Sequence, residues 1–217
     1  MARNRFSRIL AVLLVIAAGA EAVSAKPAPE ELINRLESFY LSIRSFKSEF
    51  TQEIHISGFE TVRRASGTIW FLKPGRMRWD YKRPKNKVVL IDGEYMWLYL
   101  PLEYQAYKQR ASFAFESQLP LFFLKGKGSL ARDFRVELLS SSGDRWLLKL
   151  TPRRNEAALP KGLEMEIDKK SLLVIKVSFF DAQGNLNLFT FSGHEVNKEI
   201  PEAYFKLELG PDVQIVE

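Results

Sequence analysis

The chain predicts a mainly β fold: a long antiparallel sheet curled into a partly open barrel, with a helix lying across its concave side. Three observations predict it. Apolar and polar residues alternate at period two through two long blocks, each of about six strands. One long amphipathic helical pattern precedes them. Helices are too few to cover both faces of the sheet, and an antiparallel meander of that length tends to curl.

The helix comes first. Pro27, Pro29, Glu30 and Glu31 mark a start, with proline in the first positions and acid near the positive end of the dipole. Leu32, Leu36, Phe39, Ile43, Phe46 and Phe50 then recur at steps of three and four, an apolar stripe of about five turns. From about Lys47 the period becomes two. Strands are expected over 47–56, 60–72, 76–82, 87–91, 95–99 and 104–108, with Asp92-Gly93 as a hairpin turn. The stretch 67–105 carries three of the four tryptophans. Within it Met77, Trp79 and Tyr81 share one parity, and Arg78 and Asp80 the other, so a strand there has an aromatic face and a charged face. Residues 112–130 interrupt the pattern with a dense apolar cluster followed by Lys125-Gly-Lys-Gly-Ser129, read as a short helix and a loop. Strands resume at 134–139, 145–151, 162–168, 172–180, 185–196 and 203–209, with turns at Ser142-Gly143 and Gln183-Gly184-Asn185.

Residues 1–25 are expected to be a signal peptide. Arg3, Arg5 and Arg8 precede an apolar run, Ile9 to Ala18, and Val23-Ser24-Ala25 supplies small residues for cleavage. The run is short for a membrane span. Residues 26–217 are then one mature domain of a size that holds a substantial core. The chain has no cysteine, so no disulfide frame and no lipid-modified N-terminal cysteine can form. The precursor charge of +6 loses three arginines and Glu21 on cleavage, which leaves +4. Those charges are scattered along strands and turns and form no nucleic-acid arm.

Catalytic chemistry finds no footing. The two histidines, His55 and His194, fall in different strands and are read as surface residues, so no metal site is expected. Gly126-Lys127-Gly128-Ser-Leu-Ala131 matches a phosphate loop only superficially, because its surroundings are an antiparallel meander. Glu164 and Glu166 alternate with Leu163, Met165 and Ile167, as on the wet face of a strand. Arginines alternating with rings give a dry face and a wet face, with no mixed platform for stacking bases. A broad apolar sheet face without chemistry suggests a binder of something apolar. A dispersed Ser-His-Asp hydrolase remains the remote alternative.

Gly67-x-x-Trp70-x-x-Lys73-Pro74-Gly75-x-Met77-x-Trp79-x-Tyr81-x-x-Pro84, with Asp92-Gly93 and Trp97-x-Tyr99-x-Pro101, resembles the periplasmic outer-membrane lipoprotein carrier family (LolA). Phe46-Lys-Ser-Glu-Phe50-Thr51-Gln52 and Asn197-x-x-Ile200-Pro201-x-x-x-Phe205 fit as well, so the resemblance spans the mature chain. It implies an incomplete, strongly curved antiparallel β-barrel whose concave apolar face is covered by helices acting as a lid. It implies a periplasmic monomer without cofactor that takes lipoproteins from an inner-membrane releasing transporter to an outer-membrane receptor lipoprotein. Trp70, Met77, Trp79 and Tyr81 are then the expected lining. Leu36, Phe39 and Ile43, with Leu121, Phe122 and Leu124, are the expected underside of the lid. Lys73 stands where many relatives carry an arginine that holds the lid through backbone carbonyls; lysine keeps the charge and loses the planar fork of donors. Leu100 replaces the acidic residue frequent at its position. A relative of the same fold that carries another lipid is the nearer alternative.

Overall fold

In the computed structural model the described residues are 29–83, 86–111, 130–153 and 162–217. The expected lid residues Leu121, Phe122 and Leu124, the glycine loop that follows them and the signal segment lie outside these. Helix α1 spans Pro29–Ser42. Eleven strands follow: β1 Ser45–His55, β2 Val62–Leu72, β3 Arg76–Arg83, β4 Lys87–Ile91, β5 Tyr95–Leu100, β6 Gln105–Arg110, β7 Phe134–Ser142, β8 Arg145–Pro152, β9 Leu163–Asp168, β10 Val174–Phe180 and β11 Leu186–Val196. A twelfth, β12 Gln214–Val216, closes the chain's path. All twelve belong to one sheet, ordered β12-β6-β5-β4-β3-β2-β1-β11-β10-β9-β8-β7. Every pairing is antiparallel except β12 with β6. The fold is the expected one: mainly β, an open curved sheet with a helix packed on one face.

Most strands lie within two or three residues of their expected limits. Two expectations fail. The helical stripe runs on through Phe46 and Phe50 in the sequence, but α1 stops at Ser42 and both phenylalanines lie on β1. A spacing of four suits a strand as well as a helix, because four is even. Ser45, Phe46, Ser48 and Phe50 are all buried, and from Phe46 they follow the strand period. Residues 203–209 are also no strand. Glu202–Phe205 form a 3-10 turn that crosses the sheet beside β3, where no edge is free to pair. The last strand comes later, at Gln214–Val216, where β6 offers its edge.

Directly opposed residues of neighbouring strands share a face. The register therefore sorts the sheet into two sides. Phe50, Gly67 and Tyr81 are on the inner side, with Ile69, Trp79 and Val89, and with Phe71, Met77, Ile91 and Met96. Trp70, Arg78, Leu90, Trp97 and Lys108 are on the outer side. The main core forms on the inner side, where α1 contributes Leu32, Ile33, Leu36 and Tyr40, and Ile43 joins them just past its end. Leu90, Ala106 and Phe205 are buried too but stand apart from that cluster, on the other side of the sheet.

Candidate functional site

The inner face is mainly aromatic and aliphatic, with Ser48, Gln52 and Asn187 as polar exceptions. Trp79 is at its centre, 1% exposed. Its ring centroid lies 4.8 Å from Phe50, 5.8 Å from Phe189 and 6.3 Å from Phe191, and its indole N–H donates to Met77 Sδ at 3.2 Å. Met77 is buried as deeply. Tyr81 extends the same row, 5.0 Å from Phe50, and carries the Lys87 ammonium over its ring at 3.9 Å. Burial pushes its phenol up to about 12. Tyr81, Val89, Met96 and Phe179 are only partly buried and form a margin to the packed centre. Phe50, Phe189, Phe191 and Phe179 are not among the expected lining residues. Their signal is in the sequence: Phe189 and Phe191 share a parity on a strand of clean alternation.

Trp70 does not belong to this surface. It pairs with Arg78, one residue out of step with Ile69 and Trp79, and so faces outward, its ring 5.6 Å from Tyr204. The outer side is also more mixed than the alternation suggests. Lys108 lies 4.1 Å from the Tyr95 ring and 5.2 Å from Trp97, among rings and beside Arg110. The segment around Tyr204 and Phe205 lies against the β3 side of that face, held by Arg78 Nη1 donating to the Tyr204 carbonyl at 3.0 Å and by an Arg76–Glu202 ion pair at 3.1 Å.

Helix α1 covers the inner face. Leu36 and Ile43 are fully buried beneath it; Phe39 is half-buried at its flank. Tyr40, four after Leu36 and three before Ile43, is buried as well, although the apolar stripe reads without it. Arg35 lies over the Trp146 ring at 5.6 Å, on the β8 side. The helix has no basic residue in its own last turn, and its terminal carbonyls need donors. Lys73, from the corner between β2 and β3, supplies them: its Nζ donates to Leu41 O at 2.6 Å and Tyr40 O at 3.3 Å. Partial burial lowers the pKa of that ammonium. Ser42 Oγ donates to the Phe39 carbonyl at 2.7 Å.

Asn197 grips the turn from helix to sheet. Its side-chain oxygen accepts from the Arg44 N–H at 2.7 Å and the Ser45 N–H at 3.4 Å, while its own N–H donates to Ser45 O at 2.8 Å. It does so at φ 56, a left-handed backbone that asparagine tolerates better than most residues. The joint of the lid is thus fastened to the end of β11. His194 lies two strand positions from Val196, the partner of Phe46, and is not the surface residue expected. It is half-buried, its ring 5.7 Å from Phe46, with neither ring nitrogen hydrogen-bonded among the described residues. Those residues also hold no cluster of His or acid fit for a metal. Glu166 faces outward, paired with Arg145 at 3.1 Å, as the wet face requires.

The arrangement can do one thing well: present an apolar face under a helix tied down by a few polar contacts. Curated relatives agree over most of the chain. It is 26% identical over 184 residues to an outer-membrane lipoprotein carrier protein of Nitrosospira multiformis, covering 85% of this chain and 87% of that one. It is 29% identical over 211 residues to that of Cupriavidus pinatubonensis, covering 93% and 97%. Against that of Bordetella avium the identity is 26% over 216 residues, covering 100% and 99%. Among solved structures, an uncharacterized conserved protein from Thermus thermophilus superposes with TM-score 0.55 at 16% identity, over 86% of this chain and 97% of that one. MucB superposes with TM-score 0.53 at 18% identity, over 88% and 66%. These two likenesses concern the fold alone. The model of the outer membrane lipoprotein carrier protein LolA matches residues 42–208, from the lid joint through the outer-face segment, and the chain belongs to that family.

Proposed function

We propose that this protein is a periplasmic carrier that covers the acyl chains of lipoproteins and takes them from the inner membrane to the outer membrane. In this reading residues 1–25 direct export and residues 26–217 work as one monomeric carrier domain. The cargo surface is Met77, Trp79 and Tyr81 with Phe50, Phe189 and Phe191; Trp70 is left out of it. Leu36, Phe39 and Ile43 form the lid underside, and Lys73 is the latch. The observation that carries the reading is the tie at Lys73: a helix over a largely apolar face, held at its open-ended carbonyls by one cation from the sheet.

The energetics support such a device. Each methylene kept from water is worth about 0.8 kcal/mol, so one acyl chain of about sixteen carbons would cost about 12 kcal/mol to leave exposed. A soluble carrier must cover it. It must also release it, and α1 can close the apolar face as the cargo departs. A transporter that loads the carrier and a receptor lipoprotein that empties it are the partners this cycle needs.

Protein purified from its own periplasm is expected to bring triacylated lipoproteins with it, identified by mass spectrometry. Free phospholipid alone would favour a general lipid carrier. Lys73→Leu removes the donors to Tyr40 O and Leu41 O and is expected to slow delivery of lipoprotein to outer-membrane vesicles by about tenfold or more, since charge-assisted hydrogen bonds are worth about 1.5–3 kcal/mol. Unchanged delivery would remove Lys73 from the mechanism.

A further inference from the structure

We propose that Tyr40 is a second latch of the lid, which favours cargo release by pairing a buried backbone N–H that hydrocarbon cannot pair; the inference rests on the carrier reading above. The Tyr40 hydroxyl accepts a hydrogen bond from the Val174 N–H at 2.9 Å. Both residues are buried, Tyr40 at 6% exposure and Val174 at 4%. Val174 opens β10 beside an irregularity in its pairing with β9, where the register shifts between Val174 and Lys176.

Residue 40 is thereby gripped twice. Its carbonyl is held by Lys73, from the β2–β3 corner, and its hydroxyl by Val174, on β10. These lie on opposite sides of β1 and β11 in the strand order, so one residue of the lid bridges the two halves of the open sheet. Burial also raises the phenol's pKa well above the ordinary tyrosine value, which keeps the hydroxyl protonated.

An acyl chain offers no acceptor. If α1 lifts and hydrocarbon enters beneath it, the Val174 N–H loses its partner in an apolar setting, and a buried unpaired donor is costly. When the cargo leaves, α1 returns and the bond reforms. The Tyr40–Val174 bond therefore biases the cycle toward the empty, closed state, while the apolar face favours the loaded one.

Tyr40→Phe keeps the ring and removes only the hydroxyl. Binding of dansyl-labelled undecanoic acid by the purified protein is expected to tighten by about fivefold, the factor a hydrogen bond of ordinary net strength supplies. Amide hydrogen exchange in α1 should accelerate by a similar factor, with exchange in β1 and β2 unchanged. Unaltered probe affinity and α1 exchange overturn the proposal. So does equal acceleration in α1, β1 and β2, which would make the hydroxyl a general core group. In the unsubstituted protein the Val174 amide should exchange in step with the α1 amides; exchange in step with the rest of β10 counts against the latch and needs no variant. Failure of wild type, Tyr40→Phe and Lys73→Leu alike to bind the probe, with α1 exchange still accelerated in Tyr40→Phe, would reject the carrier reading and leave the latch standing as a lid fastening.

Discussion

His194 carries two ring nitrogens that no described group satisfies, in a position packed against Phe46 near the lid joint. Burial pushes its pKa below the ordinary histidine value, and the charge of Asp168 pulls it back only in part. The native state thus binds the proton less readily than the unfolded chain does. Its contribution to stability is fully present above the unfolded value of about 6.5 and is lost as pH falls through the lower folded value. The melting temperature of the protein is expected to drop between pH 7.5 and 5. His194→Phe should flatten that drop, and an identical pH profile in the variant would show that other groups set it. The burial of this residue escapes a sequence reading because alternation runs out where the register shifts between Lys47 and Glu49, and a parity counted from Phe191 no longer holds past it. Asn197 is legible only as part of a family pattern. Its role depends on Arg44 and Ser45, about 150 residues away in sequence, and no local pattern announces such a bond.

The β2–β3 hairpin shows what a single glycine does for an element. A Cβ at Gly67 would lie 2.0 Å from the Asp80 carbonyl oxygen and 2.9 Å from the Phe50 ring. Glycine alone lets the strands approach there, next to a register shift between Ser66 and Gly67. Gly67→Ala is expected to destabilise the protein by about 2–4 kcal/mol, read from the urea midpoint, because the clash is with backbone that cannot turn aside. A variant as stable as the parent would mean that the strands pair in another register. The Asp92-Gly93 turn is readable outright. Asp92 Oδ1 accepts from the Glu94 and Tyr95 N–H groups at 2.9 and 2.8 Å, and Gly93 takes φ 111. Burial tends to raise the Asp92 pKa, but these N–H donors and the Trp97 indole outweigh it and hold the carboxyl below its usual range. Elements like this are local: the residues that make the turn are the residues within it. The end of α1 is not readable, because the stripe continues at helical spacing while the backbone has already been captured by Asn197 and by pairing of Ser45 with Leu72.

One sheet separates the lid-side core from side chains buried on its other side, and the independence of the two sides can be tested. The inner core is shared with the lid. On the outer side Leu90, Ala106 and Phe205 are buried, the last 3% exposed and delivered by the segment that crosses β3. Phe205→Ala is expected to cost about 3–5 kcal/mol of stability by urea unfolding. Binding of an apolar probe under the lid should keep its affinity, since the sheet lies between; a large loss of affinity would show that the two sides are coupled. Period-two alternation determined most strands and the mainly β class, because strand facing repeats within the segment itself. Helical spacing determined α1 and most of its buried side, and the parity of Met77, Trp79 and Tyr81 determined that they share a face. The allocation of Trp70 and Trp97 to the outer side came only from pairing register. Aromatic character is the same on either side, and one residue of offset reverses it. The tertiary structure alone also decided where α1 ends, that Tyr40 meets Val174, and that residues 202–205 cross the sheet and do not extend it. Each of these depends on bonds between segments far apart in the chain, whose meeting is set by the curvature and order of the whole sheet.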